Sequence, residues 1–297
     1  MSKNLFLINA ETRLCFLAVI LVISSLMTVA NAAPEKLVRT SYVSIPVTYQ
    51  QKQWGLAAKL NVPLENNNMA AVLIVHGSGG VDSRGALHTA SLNKQGFTTL
   101  EVDLWAARGW VGMQRGRPAS VAETLPDTFA ALNYLRHMEG VDRDKIGIVG
   151  FSWGGVVSML TRNEFNQYEY GYGYGFAANV AFYPVCWVYN QVPGYELEHL
   201  VNRPLLIQTG EKDDYDLPTS CDAWRNTLDA SAKKNVQVTV YKNAAHGFNT
   251  HAAPMEVTDP FSHLGKGGKV MMKPNVQARE KSDAATAGFF VKHLVTQ

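Results

Sequence analysis

The regular alternation of wholly apolar runs with helical segments is the strongest indication of the fold of this chain. Runs of four to eight apolar residues are typical of strands buried on both faces of a parallel sheet, and the intervening helices supply the crossovers. The predicted strands of this kind are Ala70–Val75, Phe97–Val102, Lys145–Val149, Ala177–Phe182, Pro204–Gln208 and Val236–Tyr241. The sequence therefore predicts an α/β fold with a mostly parallel central sheet and helices on both faces.

The segments between and around these strands complete the predicted architecture. An opening antiparallel pair is expected at Leu37–Tyr49 and Trp54–Val62. Predicted helices, the first of which carries leucines and a phenylalanine at helical spacing, are Ser120–His137, Gly154–Thr161, Pro218–Ala232 and Asn275–Leu294. Three stretches show no clear periodicity and are predicted as irregular: Ala106–Pro118, the Tyr/Gly-rich Tyr168–Gly175, and a long loop at Thr250–Lys273.

The first 32 residues have the pattern of an export signal. Lys3 and Arg13 supply positive charge, an apolar run covers Leu14–Val29, and Ala30–Ala32 offers the small residues of a cleavage site. A spanning helix needs roughly 20 apolar residues, so we expect cleavage near Ala32; the alternative is an anchor that stays attached. Residues 33–297 are then expected to form one domain, periplasmic or secreted, without a stable membrane anchor.

Charge and cysteine content limit the partners and the redox state. The formal net charge is +2 without long charge runs, which favours neither nucleic acid nor a membrane surface as a partner. Cys186 and Cys221 form an even pair in a chain bound for an oxidising compartment, so we predict a disulfide, with two free thiols as the alternative. No metal-ligand cluster or nucleotide motif is present in the sequence, so no metal or cofactor is expected.

The strongest catalytic signal is the segment Gly150–Gly154, which lies between a predicted buried strand and a predicted helix. It matches G-x-S-x-G, the pattern of a nucleophile held on a tight strand-to-helix turn. Glycines are needed at its ends because a side chain there would collide with the backbone. We predict Ser152 as the nucleophile and the Trp153 amide as a donor to the reacting oxygen; a glycine-rich packing turn is the alternative.

A serine hydroxyl needs an adjacent base at neutral pH. His246 follows the last predicted strand, where an imidazole can reach a hydroxyl at the carboxyl edge of the sheet. We therefore predict His246 as the base. Solvated positions explain the other downstream histidines better; these are His199, His251, His263 and His293, of which His251 is the nearest rival.

The third group of such a site is a carboxylate that orients the imidazole and stabilises its protonated form. Three candidates, Asp213, Asp214 and Asp216, follow the strand that ends near Thr209. Aspartates in loops often serve only to form turns. We predict Asp213 as the acid, with Asp214 as a real alternative and Asp216 as a weaker one.

A second donor for the negative charge on the substrate is expected after the first parallel strand. That strand ends in the segment His76–Gly80, whose glycines let the backbone approach a ligand. We predict the Ser78 amide as the partner of the Trp153 amide. The alternative is a simple tight turn.

Together these motifs resemble the dienelactone hydrolase family of α/β hydrolases, over most of the chain from about Val72 to Leu294. The segments that carry the resemblance are His76–Gly80, Asp103–Gly109, Asp127–Leu132, Gly150–Gly155, Phe182–Cys186, Gly210–Asp214 and Ala245–Phe248. The resemblance implies the α/β-hydrolase fold and a triad of Ser152, Asp213 and His246. The founding members use cysteine as the nucleophile, whereas this chain has Ser152.

The function expected from the sequence is hydrolysis of a small-molecule ester, lactone or thioester through an acyl-enzyme. Arg108, Arg115 or Arg117 could receive a substrate carboxylate, with Arg108 our choice; solvated charges or a structural ion pair are the alternative. A peptidase or acyltransferase on the same fold is the main alternative function, and a non-catalytic binding protein is a further one. The sequence does not indicate the oligomeric state.

Overall fold

The computed structural model describes residues 37–65, 68–109 and 117–296. The predicted signal at residues 1–32 lies outside these residues. Within the described ranges, no helix combines the length and apolarity that crossing a bilayer requires.

The described part of the chain contains ten strands, seven regular helices and a four-residue helical turn at Ser262–Gly265 whose His263 and Leu264 have left-handed backbone angles. The strands are β1 (Val38–Tyr49), β2 (Lys52–Pro63), β3 (Ala71–Val75), β4 (Thr98–Asp103), β5 (Ile146–Phe151), β6 (Ala178–Phe182), β7 (Leu205–Lys212), β8 (Val236–Ala245), β9 (Met255–Asp259) and β10 (Gly268–Met272). The helices are α1 (Ser83–Lys94), α2 (Leu125–Arg136), α3 (Trp153–Leu160), α4 (Glu164–Gly171), α5 (Ser220–Asn226), α6 (Ala230–Lys233) and α7 (Val276–Phe290). Short 3₁₀ turns lie at Ala106–Arg108, Val121–Thr124 and Cys186–Val188, and a π-helical turn at Val291–Val295 extends α7.

The central sheet has eight strands in the order β1-β2-β4-β3-β5-β6-β7-β8. The pairs β1–β2 and β2–β4 are antiparallel, and the remaining neighbours are parallel. The prediction of an antiparallel opening pair followed by a parallel sheet is therefore confirmed. Because the parallel strands share one direction, the segments that follow β3, β5, β7 and β8 meet at one edge of the sheet.

Each face of the sheet packs against its own hydrophobic core. On β3, Leu73 and Val75 belong to one core, whereas Val72 and Ile74 belong to the other, as the two-residue period of a strand requires. Side chains of α2 and α3 complete the first core, and side chains of α1 and α7 complete the second. Burial on both faces explains why the strands are almost wholly apolar in sequence.

Several predicted segments differ from the observed elements. The helix α1 was not predicted, because its buried residues include Arg84, His88 and Asn93 and no apolar stripe marks it. The irregular stretch at Tyr168–Gly175 begins inside α4, whose first turn is capped by the Asn163 side chain. The predicted helix at Pro218–Ala232 is divided into α5 and α6.

The prediction of a long loop at Thr250–Lys273 is wrong. This segment contains an antiparallel hairpin in which β9 pairs with β10, from Met255 opposite Met272 to Asp259 opposite Gly268. β9 alternates apolar with polar residues over only five positions, and β10 does not alternate, so the hairpin has a weak pattern in sequence. The hairpin places Asp259 beside the end of the central sheet that carries the candidate site, as described below.

Candidate active site

Ser152 lies on the sharp turn between β5 and α3. Its backbone has φ 51° and ψ −109°, a strained combination for a residue with a side chain. The flanking glycines make the turn sterically possible. A Cβ atom at Gly150 would lie 1.9 Å from the Gly154 carbonyl oxygen, and one at Gly154 would lie 2.2 Å from the Val75 carbonyl oxygen. The second contact is with β3, so the turn is also packed against the neighbouring strand.

Replacing Gly150 by Ala is expected to destabilise the fold by about 3 kcal/mol or more, because backbone rather than a movable side chain would meet the new methyl group. Urea denaturation measures the change in the free energy of unfolding. Gly288→Ala in α7 is the matched control: nothing lies within 4 Å of the new atom, so the variant should gain about 0.5–1 kcal/mol. Equal stability of the Gly150 variant and the wild type would contradict the packing of the turn.

The structure brings Ser152 together with the predicted base and acid. His246 directly follows β8 and Asp213 directly follows β7. The Nε2 atom of His246 lies 2.9 Å from the Ser152 hydroxyl, and its Nδ1 atom lies 2.9 Å from Oδ2 of Asp213. Imidazole and carboxylate are both buried. A proton on Nδ1 directed at the carboxylate leaves Nε2 free to accept from the hydroxyl.

The two other candidate aspartates have backbone partners elsewhere. Oδ2 of Asp214 accepts from the amide of Met271 at 2.8 Å. The Asp216 carboxylate accepts from the amides of Cys186 and Trp187. Burial, together with the nearby charge of Asp213, raises the pKa of Asp216 to about 7. Only Asp213 is in contact with the imidazole, and the rival histidine, His251, is exposed.

The predicted disulfide between Cys186 and Cys221 is confirmed. It joins the 3₁₀ turn after β6 to α5, which follows the loop that carries Asp213. The hydrogen bonds of Asp216 connect the same two loops. The disulfide therefore restrains the segment from which the candidate acid projects.

Removing this disulfide in a Cys186→Ala/Cys221→Ala variant is expected to lower the free energy of unfolding by about 3–4 kcal/mol. The value follows from the 35-residue loop that the bond closes in the unfolded chain. Urea denaturation of the variant and of the oxidised wild type gives the difference. Reduced wild-type protein should resemble the variant, and identical midpoints in all three samples would contradict a stabilising role.

Two tyrosine rings contact the imidazole of His246. The ring centroids of Tyr183 and Tyr215 lie 4.6 Å and 4.4 Å from that of the imidazole. Tyr183 is fully buried, which raises its pKa to about 12, so its hydroxyl stays protonated at neutral pH. The amide of Tyr215 donates to Oδ1 of Asp213 at 2.9 Å, which leaves Oδ2 for the imidazole.

A buried chain of polar groups runs from Arg84 through Tyr183 to Asp283. Nη1 of Arg84 donates to the Tyr183 hydroxyl at 3.3 Å, and that hydroxyl donates to Oδ1 of Asn249 at 2.6 Å. Nδ2 of Asn249 donates to Nε2 of His88 at 3.3 Å, and Nδ1 of His88 lies 3.0 Å from the Asp283 carboxylate. We name these five residues the Arg84–Asp283 chain. It holds the Tyr183 hydroxyl in place, and sequence reasoning missed it because its members come from four distant segments of the chain, with only Arg84 and His88 on the same helix.

The predicted oxyanion donors come from two segments near Ser152, and Ser78 lines the same two cavities as the nucleophile. Trp153 is the first residue of α3, and Ser78 lies in the loop after β3. Within the described ranges, neither the Ser78 amide nor the Trp153 amide donates a hydrogen bond to the protein. His76 stabilises the Ser78 loop: its Nδ1 atom donates to the Gly77 carbonyl, and its Nε2 atom accepts from the Leu104 amide. Burial lowers the pKa of His76, in agreement with this neutral form.

The predicted substrate contact of Arg108 needs correction. Its guanidinium pairs with the buried carboxylate of Asp127 at 2.5 Å and stacks on the Trp54 ring at 4.2 Å. These contacts agree with the alternative interpretation, a structural ion pair, and Arg108 lines neither cavity at Ser152. Arg115 lies outside the described residues.

Arg117 is the arginine that reaches the site. It lines both cavities at Ser152, and its Nη1 atom donates to Oδ2 of the buried Asp259 at 2.9 Å. Asp259 lies at the end of β9. Sequence reasoning missed Asp259; the Pro260 and Gly267-Gly268 turn residues between two β-prone segments were the available signal.

One group of residues in the described ranges has the proximity of metal ligands: Cys186, Asp216 and Cys221. The two sulfur atoms are bonded to each other, and cysteine binds metals as the thiolate. The disulfide and the hydrogen bonds of Asp216 to backbone amides therefore explain why these three residues lie close together.

The sheet topology and the serine turn at the carboxyl end of β5 define an α/β hydrolase. Comparison with known proteins gives the family. The chain matches the sequence profile of the dienelactone hydrolase family over residues 56–294, and it belongs to that family.

Individual relatives are distant in sequence. Over 206 residues the chain is 21% identical to a Bradyrhizobium protein named probable 2-oxo-3-(5-oxofuran-2-ylidene)propanoate lactonase, covering 65% of this chain and 79% of that protein. A solved dienelactone hydrolase-like promiscuous phosphotriesterase from metagenomic libraries has a TM-score of 0.60 at 17% identity, covering 86% and 98% of the two chains. An α/β hydrolase named MGS-M1, from a Medee basin deep-sea metagenome, has a TM-score of 0.58 at 19% identity, covering 88% and 99%. At these identities the two structures support the fold.

Proposed function

We propose that this protein hydrolyses carboxylic esters, lactones or thioesters, with Ser152 as nucleophile, His246 as general base and Asp213 as the acid that orients it. The observation that carries the proposal is the continuous contact from hydroxyl to imidazole to carboxylate, 2.9 Å at each step. An isolated serine hydroxyl is too weak a nucleophile at neutral pH. A buried imidazole in this position removes its proton as the bond to the substrate forms.

The first half-reaction forms an acyl-enzyme. The Ser152 oxygen attacks the carbonyl carbon while its proton moves to Nε2 of His246. The amides of Ser78 and Trp153 donate to the negative oxygen, an interaction worth roughly 10²–10³ in rate for each donor in comparable enzymes. The tetrahedral intermediate then releases the alcohol or thiol, which takes the proton from His246.

The second half-reaction releases the acid. Water enters the position left by the alcohol, gives its proton to His246, and attacks the acyl carbon. The proton then returns to the Ser152 oxygen as the acid departs. Asp213 stays ionised throughout and stabilises the imidazolium that forms twice in each turnover.

The names of the relatives support hydrolysis of ester-type bonds as the activity. The Bradyrhizobium protein is named as a lactonase, and the metagenomic enzyme as a phosphotriesterase. Both names describe attack on an ester-type centre. An oxygen nucleophile with two nearby backbone amides that have no partner in the described protein suits a carboxylic ester or lactone.

The test is a panel of esters, lactones, thioesters, peptides and alcohol acceptors, run beside labelling with a fluorophosphonate probe. We expect turnover of esters or lactones and a covalent adduct on Ser152, located by mass spectrometry of the digested protein. Turnover of peptides alone, or acyl transfer to alcohols without hydrolysis, would favour a peptidase or an acyltransferase. A protein that takes no label would be a binding protein rather than an enzyme.

We also propose that the chain is exported and acts in the periplasm or outside the cell, as the pattern of residues 1–32 indicates. The disulfide between Cys186 and Cys221 supports an oxidising compartment. Amino-terminal sequencing of the protein from its native host should find a start near Ala33. A start near Met1 would contradict cleavage.

A further inference from the structure

Two cavities of unequal size meet at Ser152. The smaller has a volume of about 50 Å³, and the larger has a volume of about 260 Å³. Five residues line both: Ser78, Arg117, Ser152, Tyr215 and Asp259. A substrate carbonyl bonded to Ser152 therefore has one space on each side of it.

The position of the imidazole assigns these spaces. His246 lines the larger cavity and not the smaller one. In ester cleavage the base must pass its proton to the leaving oxygen, so that oxygen has to lie within hydrogen-bond reach of the base. The leaving group therefore occupies the larger cavity, and the acyl group is directed into the smaller one.

The smaller cavity has an apolar wall. Its residues beyond the shared ones are four valines and three aromatic side chains: Val121, Val156, Val185, Val188, Trp153, Tyr195 and Phe261. Arg117, the cation of this cavity among the described residues, pairs with the carboxylate of Asp259, which compensates its charge. An acyl group that carries a carboxylate would be repelled by the Asp259 carboxylate. It would also lose its hydration against apolar side chains, which costs binding free energy.

The volume limits the length of the acyl chain. On the same measure the larger cavity has about five times this volume, so the acyl side is the restricted part of the site. We propose that the protein acts on esters of short, uncharged acyl groups joined to a larger alcohol. This inference rests on the proposed ester hydrolysis and specifies which part of the ester is restricted.

Val156 and Val188 line the smaller cavity from two separate elements. Val156 lies one helical turn beyond Ser152, and its amide donates to the Ser152 carbonyl at 2.8 Å, so its side chain has a fixed position relative to the nucleophile. Val188 lies in the 3₁₀ turn that the disulfide anchors. Both side chains are buried, so neither can swing aside into solvent to admit a longer chain.

The larger cavity has a different lining, which fits an alcohol of mixed polarity. Met255, Val257 and Met272 form an apolar side, and Asp82, Arg84 and Thr250 form a polar one. The smaller cavity therefore selects for the size and charge of the acyl group, and the larger cavity selects for the polarity of the alcohol.

The test measures kcat/KM for p-nitrophenyl acetate, butyrate, hexanoate and octanoate, together with the hemisuccinate as a charged acyl group. We expect acetate and butyrate to be the best substrates, octanoate to be at least about 100-fold poorer than butyrate, and the hemisuccinate to be poorer than butyrate. Octanoate or hemisuccinate as the best substrate would overturn the inference.

Variants in each cavity test whether a substitution changes the preference for acyl length specifically or lowers activity toward all esters. Val156→Ala should raise the hexanoate-to-butyrate ratio of kcat/KM about tenfold, and Val156→Leu should lower the butyrate-to-acetate ratio by a similar factor. Val188→Ala provides a second enlargement outside α3. Val257→Ala, in the larger cavity, is the matched control: it should leave the acyl ratios unchanged and alter the ratio between ethyl and benzyl butyrate.

The reverse pattern, with acyl ratios altered by Val257→Ala and unaffected by both enlarging variants, would overturn the assignment of the cavities. A protein that hydrolyses no ester and takes no fluorophosphonate label would instead overturn the proposed function, and the inference with it. The two failures are therefore distinguishable in the same set of assays.

Discussion

Replacing Ser152 by Ala is expected to reduce kcat/KM for ester hydrolysis by about 10⁴–10⁶-fold without unfolding the protein. The hydroxyl supplies the atom that bonds to the substrate, so no neighbouring group can replace it. Some rate above that in water should remain, because the Ser78 and Trp153 amides still bind the developing oxyanion. Steady-state kinetics with an ester from the panel measures the loss, and circular dichroism checks the fold.

Ser158→Ala is the matched control for this variant. Ser158 lies on the same helix, α3, is fully buried, and its hydroxyl has no hydrogen-bond partner within the described ranges. The same chemical change there should leave kcat/KM within about twofold of wild type. Near-normal esterase activity of the Ser152 variant, or an equal loss in both variants, would end the proposal that Ser152 is the nucleophile.

The second large effect is expected at Asp213. In Asp213→Asn, the side-chain amide can direct an N–H at Nδ1 of His246, which favours the tautomer with its proton on Nε2. That tautomer cannot accept the Ser152 proton, and the corresponding change in a serine protease lowers kcat by about 10⁴. We expect a loss of kcat of about 10³–10⁴ at neutral pH.

Asp214→Asn is the control, because the new amide oxygen can still accept from the Met271 amide. It should lower kcat by no more than a few-fold. A large loss for Asp214→Asn together with a small one for Asp213→Asn would reverse the assignment of the acid. Both variants retain the volume of the native side chain, so cavity formation does not complicate the comparison.

Short-range patterns were sufficient to predict the parallel sheet and the pair Ser152 and His246. The serine turn is visible in sequence because the steric requirement for Gly150 and Gly154 is local. The histidine could be placed because it directly follows a strand. Asp213 was harder, since three aspartates share its loop and the contact that separates them is made with a side chain 33 residues away.

The rest of the site depends on contacts that no local pattern reveals. Arg117 and Asp259 are 142 residues apart, and their pairing depends on a hairpin with weak periodicity. Arg108 was misjudged for a related reason, because its partner Asp127 lies on a helix whose register against the loop is set by tertiary packing. His88 lies in a helix that buries polar residues, so hydrophobic periodicity could not detect it.

The direction of the Arg84–Asp283 chain has a consequence for the imidazole beside it. A guanidinium can only donate, so the Tyr183 hydroxyl accepts from Arg84 and directs its own proton at Oδ1 of Asn249. Turning the Tyr183 hydroxyl around would leave two donors facing one another at Arg84. The proposed relay from Ser152 through His246 must rearrange its protons several times in each catalytic cycle. The Tyr183 ring that contacts this imidazole is held by hydrogen bonds that take no part in the proposed relay, so proton transfer at His246 does not require these bonds to change.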